Sequence, residues 1–304
     1  MELTIKNLEN CNLCPRSCGV NRLAGEKGYC GASGDKVDIA LVSLHPWEEP
    51  CIAGKNGAGT VFFSHCSLRC VFCQNSEISS EGKGIAVDTV RLAEIFLEQQ
   101  RRGAATLDLV TPTHYAPQIA EALREAKKVG LTIPVVWNSG GYETEELIEA
   151  LSGLVDVYLP DLKYIDSDSA ARYSNAKDYF THAEKVLRVM VNQTGAPRLD
   201  DDGVMKNGVL VRHLVLPGRR KESMRIVDWL WESFGDKVWL SLMNQYTPLY
   251  HAKDYKEINR TLTTFEYESV VDHAAELGIE HCYVQEGKTA SAKFVPAFDG
   301  RGVL

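Results

Sequence analysis

The chain has 304 residues, of which 44% are apolar, and a formal net charge of −8. This length and apolar content predict a globular protein with one large domain and room for a small appendage. The negative charge, without a basic run, argues against nucleic acid or an anionic membrane as a partner. No run approaches the roughly 20 apolar residues of a membrane helix. Residues 1–9 also lack a signal-peptide core, so we expect a cytoplasmic protein.

Nine cysteines are many for a cytoplasmic chain, where disulfides rarely persist, so clustered cysteines indicate metal ligands. They form two groups, Cys11, Cys14, Cys18 and Cys30, and then Cys66, Cys70 and Cys73. Residues 1–45 are rich in glycine and cysteine and predict a small metal-binding module, because so short a segment rarely builds its own core. Residues 46–304 would form the main domain and a C-terminal extension.

From Thr60 onward, short apolar runs alternate with amphipathic helical patterns. The predicted strands are 60–64, 106–110, 133–137, 155–160, 209–216, 238–243 and 281–285. The predicted helices are 87–102, 116–129, 144–151, 179–191, 224–234 and 265–277. This alternation predicts parallel βα units, and their number favours a barrel, or an open fraction of one, over a five-stranded sheet. In such folds the chemistry lies at the C-terminal ends of the strands.

A C-x3-C-x2-C loop, made by Cys66, Cys70 and Cys73, follows the first predicted strand, and Phe72 precedes its last cysteine. Three thiolates on one short loop can bind three irons of a [4Fe–4S] cluster and leave the fourth iron open to an external molecule. The alternative is a zinc site with His65 as fourth ligand. Because His65 adjoins Cys66, that tetrahedral geometry is awkward.

The first cysteine group also provides four thiolates, which suit a structural zinc ion or a second iron–sulfur cluster. Its spacing, C-x2-C-x3-C followed by Cys30, is not that of a standard zinc ribbon. Both metals therefore stay open for Cys11, Cys14, Cys18 and Cys30.

The cysteine loop resembles the signature of the radical S-adenosylmethionine (SAM) superfamily, and is most similar to the enzymes that activate glycyl radical enzymes, such as pyruvate formate-lyase-activating enzyme. The similarity extends to EEPCI at 48–52, LPDLK at 159–163, RHLVLPG at 212–218 and MNQYTP at 243–248. The resemblance implies an α/β fold, a partial (β/α)6 barrel, with SAM as co-substrate. It further implies a 5′-deoxyadenosyl radical that takes hydrogen from a glycine of a glycyl radical enzyme, and an electron donor such as flavodoxin or ferredoxin.

The resemblance also implies which residues bind SAM, and Phe72 of the cysteine loop is one of them. Asn138 and Ser139 align with an Asp-Thr-Asn-Gly turn of the relatives, and Asp161 and Lys163 match their Asp-Leu-Lys. These two turns help the relatives to bind SAM and a monovalent cation. A buried Asp161 also needs a counter-charge, which Lys163 or a cation would supply.

Two further SAM contacts depart from the family pattern or stay ambiguous. The relatives often carry Gly-Gly-Glu after the second strand, whereas this chain has no carboxylate there, and Thr113 and His114 take its place as candidates. On the fifth strand only one of the neighbours Arg212 and His213 can face the lumen, and we favour His213.

Two other functions stay open at this point. In the first, the radical chemistry acts on a small molecule or a peptide instead of a glycyl radical enzyme. Alternatively, both cysteine groups bind zinc in a non-enzymatic adaptor or redox sensor.

Overall fold

The computed structural model describes residues 2–285 and 296–304. The strands within these ranges are β1 Val37–His45, β2 Ala58–Phe63, β3 Ile85–Val87, β4 Leu107–Val110, β5 Val135–Ser139, β6 Val157–Pro160, β7 Arg198–Leu199, β8 Met205–Leu214, β9 Trp239–Met243 and β10 Cys282–Val284. The α-helices are α1 Pro50–Ala53, α2 Ser76–Ser79, α3 Thr89–Arg101, α4 Ala116–Val129, α5 Glu145–Ala150, α6 Ser167–Ser174, α7 Tyr179–Thr194, α8 Arg220–Phe234 and α9 Thr264–Glu276.

One sheet joins these strands in the order β10-β9-β8-β6-β5-β4-β2-β1-β3, with β7 paired to β8. Neighbours from β2 to β10 along this path run parallel. The predicted α/β fold with a parallel sheet is therefore confirmed, and each of the seven predicted strands overlaps one of the parallel strands. Their apolar runs reflect burial on both faces, as parallel sheets require.

The beginning of the sheet differs from the prediction. Residues 37–45 were assigned to the cysteine-rich module, but they form β1, which pairs antiparallel with β2. The short strand β3 pairs antiparallel with the other side of β1. The apolar residues Val37 and Ile39 are fully buried, because β1 lies inside the main core. We use the name N-terminal module below for residues 2–36, the part of the predicted segment that precedes β1.

The helices cover the outer face of the sheet, and local caps set where several of them begin. Asp88 caps α3 by accepting a hydrogen bond from the backbone N–H of Arg91, and Thr144 caps α5 in the same way. Thr263 and Glu266 form a capping box at the start of α9. Gly130 ends α4 in a left-handed conformation with φ 110°, which glycine adopts without strain.

The inner face of the sheet begins with an apolar cluster that we call the floor, formed by Cys51, Ile52, Ala58, Val136, Val157, Leu159, Met205 and Leu210. Most of these residues lie near the N-terminal ends of their strands, and α1 contributes two of them. Because side chains alternate along a strand, a residue two positions beyond Leu210 also faces inward. Arg212 is that residue.

In the N-terminal module, one short 3-10 helix, Ile5–Leu8, precedes the cysteines, and a second, Arg22–Ala24, lies between Cys18 and Cys30. Leu3, Leu8 and Leu13 are buried in the main core. The guanidinium of Arg124 on α4 donates a hydrogen bond to the carbonyl of Leu3, at 3.0 Å. The module is therefore packed onto the barrel helices.

No helix in the ranges 2–285 and 296–304 has the length and apolar character needed to cross a membrane.

Candidate active site

The C-x3-C-x2-C motif lies in residues 64–75, which we call the cluster loop, between the C-terminal end of β2 and α2. His65 and Arg69 have φ angles of 73° and 53°, a left-handed backbone that non-glycine residues rarely adopt. Strained residues of this kind concentrate at functional sites. Cys70 is buried, while Cys66 and Cys73 are partly exposed.

Hydrogen-bond donors point at all three sulfur atoms of the loop. Ser174 Oγ donates to Cys70 Sγ at 3.0 Å, and Ser79 Oγ donates to Cys73 Sγ at 3.3 Å. The backbone N–H of Leu68 donates to Cys66 Sγ at 3.4 Å. Burial raises the pKa of Cys70 to about 12, so its free thiol would hold its proton at neutral pH. A bound metal together with these donors would favour the thiolate instead.

His65 faces away from the cysteine sulfurs. Its Nε2 lies 3.2 Å from Asp38 Oδ2, an oxygen that also accepts a hydrogen bond from the hydroxyl of Tyr115 at 3.0 Å. Burial opposes ionisation of Asp38, yet these two hydrogen bonds hold its pKa below the usual value. This geometry gives no support to His65 as a fourth ligand in a zinc site.

The turns after β5 and β6 lie against the cluster loop. A Cβ added to Gly140 would be only 2.8 Å from Leu68 Cδ1, so the β5 turn needs a glycine to approach the loop. Lys163 Nζ lies 2.6 Å from Asp161 Oδ2. Burial raises the pKa of the Cys70 thiol, and the positive charge of Lys163 offsets part of that rise. The structure therefore brings Asp161 and Lys163 to the cysteine loop.

Arg212 faces inward and contacts several predicted site residues. Its Nε donates to Asp161 Oδ1 at 3.0 Å, and its Nη2 donates to Asn138 Oδ1 at 2.7 Å. Its Nη1 donates to Glu48 Oε2 at 3.1 Å and lies 4.0 Å from Glu49 Oε2. Burial opposes ionisation of Asp161, but Lys163 and Arg212 hold its pKa below the usual value.

Glu48, Glu49, Asp108 and Asp161 form a carboxylate layer between the floor and the cluster loop. Asp108 is fully buried and accepts a hydrogen bond from Asn138 Nδ2 at 3.4 Å. Burial raises the pKa of Asp108 well above its usual value, and it raises the pKa of Glu49 to about 7. Asp108 Oδ1 and Glu49 Oε2 are buried without a hydrogen-bond partner. Sequence reasoning missed this layer, apart from Asp161.

Thr113 and Ser139, two predicted SAM contacts, both bond to one buried carboxylate. Thr113 Oγ1 and Ser139 Oγ donate to Glu143, each at 2.9 Å. Trp137 Nε1 donates to the same carboxylate at 2.6 Å. Burial raises the pKa of Glu143, whereas these donors lower it. A buried carboxylate, Glu143 of the next turn, therefore lies beside Thr113. SAM contacts by the two hydroxyls remain predictions.

His114 is buried beside the cluster loop. Its Nε2 lies 2.7 Å from the carbonyl of Ser64, so it is the protonated nitrogen, and Nδ1 has no partner. Burial lowers the pKa of His114 to about 3, and Arg22 nearby acts in the same direction. His114 is therefore a neutral imidazole whose Nδ1 can accept a hydrogen bond. Its role in SAM binding remains a prediction.

The orientation predicted for β8 is wrong. His213 faces the helices, where its Nδ1 lies 2.7 Å from the carbonyl of Leu162 and its Nε2 lies 2.8 Å from Ser223 Oγ on α8. Arg212 is the inward residue, because alternation from the floor residue Leu210 assigns the even-numbered positions to the lumen. Phe72, the other predicted cofactor contact, is buried and packs edge-on against Tyr246, with ring centroids 5.7 Å apart.

The four N-terminal cysteines lie in one neighbourhood. Burial raises the pKa of Cys14 to about 12, and the charges of Cys30, Cys11 and Cys18 act in the same direction. Across the described ranges, no three His, Cys, Asp or Glu side chains converge on a position for one metal ion. This holds equally for the cysteines of the cluster loop. Zinc and a monovalent cation therefore remain predictions.

Comparison with known proteins agrees with this site. The model of the radical SAM superfamily matches residues 60–230, more than half of the chain. An uncharacterized protein of Methanocaldococcus jannaschii is 30% identical over 293 residues, which cover 93% of this chain and 79% of that protein. The chain belongs to the radical SAM superfamily.

Solved structures show the fold alone at their low identity. SuiB of Streptococcus suis, bound to its precursor peptide SuiA, is similar with a TM-score of 0.51 and 13% identity, covering 75% of this chain and 48% of SuiB. The chain thus spans about half the length of SuiB. Methylornithine synthase has a TM-score of 0.47 and 12% identity, covering 74% of this chain and 72% of the synthase.

The family implies a [4Fe–4S] cluster and SAM, and the residues present fit both. Three thiols on one loop match the iron ligands, and Ser79 and Ser174 direct hydroxyls at two of their sulfurs. The buried oxygens Asn75 Oδ1, at the end of the loop, and Ser80 Oγ, directly after α2, have no hydrogen-bond partner within the protein. Unpartnered buried polar atoms of this kind are expected where a bound group is missing.

Proposed function

We propose that this radical SAM enzyme binds its cluster through Cys66, Cys70 and Cys73 and uses SAM to abstract a hydrogen atom from a glycine of a partner protein. The observation that carries the proposal is the position of the Asp161–Lys163 pair, in the turn beside the buried Cys70. When bound, the reduced cluster supplies one electron for the cleavage of SAM. A glycyl radical enzyme as partner, flavodoxin or ferredoxin as donor, and a cytoplasmic location belong to the same proposal.

The charges of the site complement those of SAM. The amino acid end of SAM carries an ammonium and a carboxylate, and Asp161 and Lys163 offer one opposite charge to each. Arg212 holds Asp161 from the lumen side and Asn138 holds Arg212 in turn. The side chains that orient SAM are thus fixed by partners of their own, which is how binding sites gain precision.

The test is anaerobic reconstitution with iron, sulfide, SAM and dithionite. The wild type should release 5′-deoxyadenosine and methionine, and Cys70→Ala should release neither. Cys282→Ala, which removes a partly exposed thiol on β10, is the matched control and should behave as the wild type. A wild-type sample that is fully loaded with iron and yields neither product contradicts the proposal.

A small amine substrate is the second candidate, and the carboxylate layer favours it. Asp108 Oδ1 and Glu49 Oε2 are buried acceptors without hydrogen-bond partners, and a substrate ammonium would satisfy them. Asp108→Asn should then weaken binding of an amine substrate and leave SAM cleavage in its absence unchanged. A glycyl radical signal in a partner protein favours the first candidate, whereas deuterium moving from a labelled amine into 5′-deoxyadenosine favours the second.

A further inference from the structure

The N-terminal module docks directly on the cluster loop. Arg16, between Cys14 and Cys18, donates from Nε to the carbonyl of Ser67 at 2.9 Å. From the other side, Arg69 Nη2 donates to the carbonyl of Cys30 at 3.3 Å. The two cysteine groups therefore touch through residues next to their own ligands.

Further contacts tighten this junction. Arg16 Nη2 donates to the carbonyl of Ser174 at 3.1 Å, and Ser174 Oγ donates to Cys70 Sγ at 3.0 Å. A Cβ at Gly31 would lie 3.3 Å from Arg69 Nη2, so the turn after Cys30 lies close to the loop. Hydrogen bonds of neighbouring residues thus link the two cysteine groups directly.

The N-terminal sulfurs have the surroundings of metal-bound thiolates. The backbone N–H of Tyr29 donates to Cys18 Sγ at 3.3 Å, and Arg22 Nη1 approaches Cys11 Sγ at 3.9 Å. A Cβ at Gly28 would lie 3.0 Å from Cys18 Sγ, so this backbone closely approaches the sulfur. Donors directed at these two partly exposed sulfurs would also suit sulfurs bound to a metal.

The close contact between the two cysteine groups favours a cluster over a single zinc ion. Zinc has no redox chemistry and would gain nothing from lying beside the loop cluster, whereas a second iron–sulfur cluster there can exchange electrons with it. The module also does not depend on a metal alone for packing, because Leu3, Leu8 and Leu13 anchor it in the main core.

From these contacts we infer that Cys11, Cys14, Cys18 and Cys30 hold a second iron–sulfur cluster, which passes electrons to the cluster at Cys66, Cys70 and Cys73. One electron leaves the N-terminal cluster, which is oxidised, and enters the loop cluster, which is reduced. An external low-potential one-electron donor then reduces the N-terminal cluster again. The inference rests on the proposed function only for the use made of the electron.

Metal analysis of reconstituted, full-length protein tests the site. The wild type should hold about 8 iron atoms, four per cluster, and the triple variant Cys66→Ala/Cys70→Ala/Cys73→Ala should keep about 4. After reduction with dithionite, the triple variant should show an electron paramagnetic resonance signal from the N-terminal cluster, and SAM should not change this signal. A triple variant that binds one zinc and no iron, or no metal, overturns the inference.

The complementary variant is Cys14→Ala/Cys18→Ala. It should keep about 4 iron atoms with a SAM-sensitive signal. In the wild type, reduction of the loop cluster by flavodoxin should show a fast phase in which electrons pass through the N-terminal cluster, and the variant should lack this phase. An unchanged fast phase overturns the relay. If this variant does not fold, the triple variant still decides whether iron binds. Failure of the wild type to cleave SAM, with iron retained in the triple variant, would refute the proposed function and leave the second cluster intact.

Discussion

Arg212 is the only guanidinium in the described residues that the structure sets against the carboxylate layer, and Arg212→Met should strongly destabilise the fold. Its side chain is 15% exposed and holds Asp161 at 3.0 Å and Glu48 at 3.1 Å. The substitution keeps the length of the side chain and removes its charge. Two or more carboxylates then remain buried with only Lys163 as a counter-charge.

The expected cost follows from these contacts. Removing one partner of a buried ion pair typically costs about 3–5 kcal/mol, because it leaves an uncompensated charge. Burial already raises the pKa of Glu49 to about 7, and it also raises that of Asp108, so the variant can relieve part of the repulsion by taking up a proton. We therefore expect the lower end of the range, about 3 kcal/mol at pH 7.

The pH dependence has a definite sign. In the wild type, the folded pKa of Asp161 is lowered, so its contribution to stability is present above its unfolded pKa and is lost as pH falls through the folded value. In Arg212→Met that partner is gone, and the folded carboxylates bind more protons than the unfolded ones. The deficit of the variant should therefore shrink as the pH falls from 7 to about 5.

Urea unfolding followed by tryptophan fluorescence, in anaerobic buffer, measures this deficit. Arg172→Met is the matched control, because Arg172 pairs with Glu257 at an exposed site where screening is strong, and it should unfold as the wild type does. Arg212→Lys should recover part of the loss. A deficit below about 1 kcal/mol for Arg212→Met, or one that grows on acidification, refutes the account of the carboxylate layer.

Three other substitutions test separate features. Glu143→Gln should cost about 1–3 kcal/mol of unfolding free energy, because the amide N–H₂ would replace a carboxylate oxygen that accepts a hydrogen bond from Ser139, or from Thr113 and Trp137. Burial lowers the pKa of His213 to about 4, so the unfolded state binds more protons between pH 4 and 6.5, and the protein loses stability as the pH is lowered through this range. His213→Gln should weaken this loss of stability and leave SAM affinity unchanged. Gly141→Ala should cost about 1–3 kcal/mol, because φ is 71° and the new Cβ would lie 2.6 Å from a carbonyl oxygen.

Each has a control and a contradicting result. For Glu143, exposed Glu146→Gln should be neutral, and an equal loss in both would contradict the buried hydrogen bonds. For His213, weaker SAM binding in calorimetry would restore the lumen assignment. For Gly141, Gly153→Ala shares a positive φ of 76° with open space around it, and an equal cost in both would remove the steric part of the argument.

The parallel strands were predictable because their apolar runs depend on local burial, and the cluster loop was predictable because its spacing is local. β1 was missed because glycine and cysteine nearby suggested the module continued. Arg212 and His213 could not be separated by alternation, since both neighbours are polar and the register depends on Leu210 reaching the floor.

The carboxylate layer was missed for a different reason. Glu48 and Arg212 are in contact although 164 positions separate them, and no local sequence pattern predicts that contact. Asp108 could have indicated the layer from sequence, since it lies inside a buried apolar strand. A charged aspartate there costs free energy unless a nearby group compensates its charge.

The apolar floor has a consequence for turnover. Ile52 of α1 and residues near the starts of the strands fill this end of the lumen with hydrocarbon side chains, so SAM and its products would use the opposite end, where the strands finish. Under the proposed function, 5′-deoxyadenosine and methionine leave by the same opening through which SAM enters. Product release and SAM binding then compete for this opening, and accumulated 5′-deoxyadenosine should slow the binding of the next SAM.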